Sequence, residues 1–137
     1  MPDSSVDVIL AMFRRFEEGH LEAAFELLAD DFVAVVPPSM SAEPDVYEGH
    51  EGARRYMAGF EGLIEDVRYE LDDLTEEGDA VLGSLRLVGR GVASGLEVTQ
   101  AGAIVFWVVD GKVKRIEPHP DMEAARKALD SRAQSGW

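Results

Sequence analysis

A few polar side chains are the groups in this sequence that could move a proton or hold a substrate oxygen. In Glu117-Pro118-His119-Pro120-Asp121, a histidine stands two residues before an aspartate. An imidazole exchanges protons near neutrality without a large shift from its reference pKa of roughly 6.5, and a carboxylate close by can orient it. His119 as proton carrier with Asp121 as its partner is therefore the catalytic pair these residue types favour. Asp121 has a competing role as the N-cap of a closing helix. His50, in Tyr47-Glu48-Gly49-His50-Glu51-Gly52, precedes a helical pattern and also reads as a turn residue. Tyr56 lies on the apolar side of that helix, where its hydroxyl would face a cavity or pack as core. Glu70 and Glu117 are the remaining strand carboxylates, and neither stands out as a general base. The three histidines do not pair at metal-ligand spacing and there is no cysteine, so neither a metal nor another cofactor is expected.

The elements that would position these groups centre on Glu97 to Glu117. Val98 to Val109 is apolar or small at nearly every position, Asp110-Gly111 is a two-residue turn, and Val113 and Ile116 resume the apolar pattern. Gln100, Gly102, Ile104, Phe106 and Val108 share one face; Ala101, Ala103, Val105, Trp107 and Val109 share the other. A strand apolar on both faces must be covered on both. Helices serve one side, and a second copy of the chain is the simplest cover for the other, giving a homodimer through the face that carries Trp107. Val113 and Ile116 differ in parity, so a bulge is expected in the return strand.

Upstream, Val6, Ile9, Leu10, Phe13 and Phe16 follow helical spacing behind the candidate caps Ser4 and Ser5, and Gly19 ends that helix. A second helix is expected over 21–28 and a strand over 32–36. The proline-rich segment Pro37 to Asp45 reads as a loop at the mouth of a pocket. A third helix is expected over 51–64, then strands over 67–76, 80–91 and 97–109, a return strand over 112–117, and a helix from Met122 that frays from about Ser131. With 137 residues, this is the size of a single α+β domain spanning 1–137.

Thirteen Lys and Arg against 27 Asp and Glu give a formal charge of −14. Nine of the acids fall between Glu61 and Asp79, opposed only by Arg68. Such a field disfavours nucleic acid and anionic membrane surfaces as partners. No run approaches membrane-spanning length, and the N-terminus lacks a basic region followed by an apolar one, so a soluble cytoplasmic protein is expected.

The segments FEEGHLEAAFELLADDFVAVVPP, YEGHEGARRYM, GSLRLVGRGVASGLEV and VFWVVDGKVKRIEPHPD, in that order, resemble the SnoaL-like branch of the nuclear transport factor 2-like, or ketosteroid isomerase-like, superfamily. The resemblance implies a cone-shaped barrel of the cystatin-like kind, with a curved antiparallel sheet wrapped around the N-terminal helices, a pocket inside it, and usually a homodimer. It turns Gln100, Ile104 and Phe106 inward. It also places Val36 where steroid isomerases carry their carboxylate base, and Met12 where they carry an oxyanion-binding tyrosine. Both are apolar here, so steroid isomerisation is not expected. The implied function is a small-molecule pocket acting on a largely apolar substrate as an isomerase, cyclase or dehydratase, or a binding module without turnover. Its expected lining is Gln100, Tyr56, His50, Phe106, Ile104, Val36 and Met12.

Overall fold

The computed structural model describes residues 4–36, 45–58, 62–78 and 80–135. The first helix, α1 (Ser5–Glu17), begins where the Ser4 hydroxyl accepts from the Asp7 amide at 3.2 Å, satisfying one of the first-turn donors. It ends before Gly19, whose φ of 83° is open to glycine at little cost. After the short α2 (Leu21–Phe25) come β1 (Leu28–Val36), β2 (Asp45–Glu48) and α3 (Gly49–Ala58). Four strands follow: β3 (Ile64–Glu77), β4 (Ala80–Gly91), β5 (Glu97–Val109) and β6 (Lys112–His119). The described chain closes with α4 (Met122–Ser135).

The strands form one curved, unclosed sheet in the order β2-β1-β6-β5-β4-β3. The fold is α+β. Every pairing is antiparallel except that of β1 with β6, which is parallel. The β5–β6 hairpin turns at Asp110-Gly111, with φ of 53° and 75°, values that suit Asp-Gly in a tight turn. Its ladder shifts register between Trp107 and Val108: Trp107 faces Arg115 while Val108 faces Val113. This is the bulge expected from the parity change, and it puts both Val113 and Ile116 on the inner face.

The concave face is covered by α1, α2 and α3. Its core includes Ile9, Phe25, Val81, Phe106 and Val113. The convex face has a separate apolar cluster, in which Ala80, Leu82, Val105 and Trp107 are covered by Ala125 and Leu129 of α4. Helical cover, expected on one face only, is present on both: α4 lies over the row for which a second copy was the expected cover. Trp107 is 2% exposed and Val105 fully buried within one chain, so self-association through Trp107 would require α4 to be displaced.

Several boundaries also differ from the sequence reading. β1 begins at Leu28 rather than Phe32, because Asp30 and Asp31 sit at an irregularity in the ladder instead of ending it. The described part of α3 runs to Ala58, and Ile64, expected at the end of that helix, opens β3. α4 stays helical to Ser135, past the expected fraying point. The anticipated mouth loop lies outside the described residues apart from Asp45, which starts β2.

Candidate functional site

Between the concave face and the three helices lies a cavity of about 140 Å³. Met12, Phe13 and Phe16 enter it from α1, Ala53, Tyr56 and Met57 from α3. Leu85, Ile104, Ile116 and Pro118 form part of its sheet wall, together with Tyr69 from β3. The approach of α3 to the sheet depends on Gly52. A Cβ there would stand 2.7 Å from the Tyr47 carbonyl carbon, closer than a side chain can sit. Without that Cβ, α3 packs against β2 with Ala53 and Tyr56 turned to the cavity.

Aromatic rings hold one another at the wall. Phe13 meets Tyr69 edge-on at 5.6 Å and Phe106 at 5.9 Å, while Phe16 lies 5.3 Å from Tyr69. Tyr47 and Tyr56 pack edge-to-face at 5.3 Å, and the Arg55 guanidinium lies 4.2 Å from the centre of the Tyr47 ring.

Tyrosine hydroxyls are the only polar side-chain groups among the described residues that line the cavity, and no charged side chain joins them. The hydroxyls of Tyr56 and Tyr69 are hydrogen-bonded to each other. Burial pushes both above the ordinary tyrosine range, Tyr69 strongly, because a tyrosinate would lose its hydration there. Both therefore stay neutral at physiological pH. Such a site can orient a neutral polar atom or stabilise developing negative charge by hydrogen bonding. Neither hydroxyl is suited to remove a proton from carbon at neutral pH.

The remaining expected site residues are dispersed. Met12, Tyr56 and Ile104 line the cavity, and Phe106 is buried core just behind Phe13. Gln100 faces the concave side opposite Leu87, beyond the Leu85–Gly102 pair and away from the cavity wall. The backbone of Val36 pairs with Asp45 at the end of β1, and its side chain lies outside the described residues. The His50 Nε2 is 3.0 Å from the Leu28 carbonyl oxygen, beside a separate polar groove that includes Asp31 and Lys114.

His119 is opposite Ala103 in the β5–β6 ladder, which directs it to the convex face, and it does not line the cavity. There its Nε2 lies 3.4 Å from Glu117 Oε1, while Glu117 Oε2 accepts from Arg115 Nε at 2.6 Å. Asp121 caps α4, accepting from the Ala124 amide at 2.8 Å. Strand register thus puts His119 on the side of the sheet away from the cavity, and Asp121 takes the capping role that competed with catalysis. Glu70 is also convex-facing, bonded to Arg86 across the β3–β4 ladder.

Tyr69 was not singled out by the sequence reading. Its signal is the alternation of Val67, Tyr69 and Leu71 with charged neighbours in β3. Among the described residues, no cluster of acids and histidines could hold a metal ion, and no helix is long and apolar enough to cross a membrane.

Comparison with known proteins agrees with this architecture. No curated protein matches the chain. TerC, co-crystallised with polyporic acid, superposes with a TM-score of 0.75 at 21% identity, over 91% of this chain and 97% of TerC. A protein named as a SnoaL-like polyketide cyclase, from Jannaschia sp., gives 0.69 at 22% identity, over 93% and 96% of the two chains. A Catenulispora acidiphila protein with a ketosteroid isomerase-like fold, in complex with trimethylamine, gives 0.72 at 15% identity, over 85% and 86%. At these identities the likeness is one of fold. The family model for the SnoaL-like domain matches residues 9–116, from within α1 into β6, and the chain belongs to that family.

Proposed function

We propose that this protein binds a small, largely apolar molecule in the concave cavity, with its tyrosine hydroxyls as the only polar contacts from the described lining. The observation that carries this reading is the lining itself: aromatic and aliphatic walls with no charged side chain among the described residues. A cavity of this size and chemistry suits a single ring. Proteins of the same fold hold small molecules, polyporic acid in TerC and trimethylamine in the Catenulispora protein. Binding without turnover is the better-supported form of the function. An isomerase, cyclase or dehydratase working from these side chains would have only tyrosine hydroxyls to act as hydrogen-bond donors.

Titration with toluene tests this. Saturable binding, accompanied by a concentration-dependent rise in melting temperature, is the expected result. Ala53→Phe, which fills the cavity from α3, should abolish both. A wild-type protein that toluene neither binds nor stabilises would refute the reading.

A further inference from the structure

The titratable groups in the described wall of the cavity are three tyrosines: Tyr47 from β2, Tyr56 from α3 and Tyr69 from β3. The described lining from α1, α2, β1, β4, β5 and β6 is apolar. α3 also carries two guanidiniums, and both are engaged outside that lining. Arg54 grips Glu22 of α2 at 2.6 and 3.0 Å and lies 5.8 Å from the centre of the Phe25 ring. Arg55 donates to the Val46 carbonyl oxygen at 3.3 Å and lies 4.2 Å from the centre of the Tyr47 ring. Phe25 and Tyr47 both line the cavity, so two of its rings already hold a cation.

Each sign of charge is therefore poorly served. A cation in the cavity would meet no carboxylate among the described lining residues, and the ring electrons of Phe25 and Tyr47 are already drawn toward guanidiniums. An anion would meet no counter-charge there either. Burial raises the pKa of Tyr56 and of Tyr69, so even a phenolate made from the wall's own side chains is disfavoured. A hydroxyl can ease a partial charge as it develops, whereas a whole ion must give up its hydration on entry.

We propose that this cavity selects by charge state, taking the uncharged form of a monocyclic aromatic weak acid or weak base and rejecting the ionised form. The proposal rests on the reading of the cavity as a site for a small apolar molecule. It makes the ligand's own ionisation the switch for occupancy.

The experiment titrates toluene, thiophenol and 4-methylpyridine into the wild type between about pH 5 and 9. The three match in size; thiophenol loses a proton near neutrality and 4-methylpyridine gains one slightly below it. The chain has no cysteine, so thiophenol kept reduced forms no mixed disulfide with it. Thiophenol should weaken roughly tenfold for each pH unit above its own pKa, and 4-methylpyridine roughly tenfold for each unit below its own, because only the neutral fraction binds. Toluene has no ionised form and should hold within about twofold throughout. Thiophenol that binds as well or better at high pH would mean that the hydroxyls hold an anion, and would overturn the proposal. So would 4-methylpyridine that binds as well or better at low pH, which would mean that the rings hold a cation. Toluene binding that follows pH would make the cavity itself the titrating element, and failure of either ionisable ligand to bind in its neutral form would show selection by something other than charge; both overturn the proposal. Failure of toluene to bind at any pH would instead sink the underlying reading of the cavity.

Discussion

His119 and Ala103 face each other across the β5–β6 ladder, so the imidazole shares the convex face with Trp107 and is separated from the cavity by the sheet. Removing that imidazole should leave the cavity untouched. His119→Ala is expected to bind toluene within twofold of the wild type in the same titration. A tenfold loss would mean that the convex-face residues act on the cavity through the strand.

Glu117 is the only buried charged residue among those described, and Arg115 and His119 both lie against it. Arg115 also sits over the Trp107 ring, 5.9 Å from its centre. Glu117→Ala leaves a mostly buried guanidinium without its carboxylate. A cost of about 1–3 kcal/mol is expected, near the value for an unsatisfied buried polar group. Urea unfolding of the variant measures it.

Gly52→Ala tests the approach of α3 to β2. In an exposed helix this change stabilises by about 1 kcal/mol. Here the new methyl group would meet the Tyr47 backbone at 2.7 Å. Overpacking of this kind costs about 1–3 kcal/mol, so the net sign should be reversed. A lower melting temperature together with weaker toluene binding is the expected result, because Tyr56 moves with the helix.

The tyrosine pair makes stability sensitive to alkali. Both folded-state values are raised above 10.0. In the unfolded chain these groups ionise at about 10, while in the fold they stay neutral. Their contribution is therefore fully present below about pH 10 and is lost as pH rises through the raised folded values. Urea midpoints should fall above pH 10 less steeply in Tyr69→Phe than in the wild type. Absorbance of tyrosinate near 295 nm, followed with pH, should show two late-titrating rings that Tyr69→Phe reduces to one.

The cover over Trp107 can be tested by its fluorescence, with Trp137 replaced by Phe to isolate the signal. Leu129→Ser should shift emission to the red and increase binding of an apolar dye, because Leu129 packs in the Trp107 cluster. Unchanged emission would mean that α4 does not shield the ring.

Much of the sheet was legible in the sequence because β4 and β5 are long runs rich in apolar and β-branched residues that end at clear turns. Their observed limits, Ala80–Gly91 and Glu97–Val109, coincide with the expected ones. β2 was missed because its four residues, Asp45–Glu48, are too few to show a period and follow a proline-rich segment. Met12, Tyr56 and Ile104 could be anticipated at the cavity from the helical and strand patterns and the family resemblance together. His119 could not be placed, because a single bulge in the β5–β6 ladder decides which face it takes. Tyr69 was overlooked for a related reason: side-chain alternation identifies a face, not the partner that a hydroxyl meets across it.

Positive φ at Asp66 and Asp73, 55° at each, coincides with the two register shifts between β3 and β4. β3 is an outer strand of an unclosed sheet, and an outer strand ordinarily offers free amides and carbonyls to any passing chain. Here that border is interrupted twice and carries Glu65, Asp66, Glu70, Asp72, Asp73, Glu76 and Glu77. A second copy trying to extend the sheet would meet broken spacing and a row of like charges. The acidic run whose field disfavours nucleic acid as a partner thus also guards against strand-by-strand polymerisation.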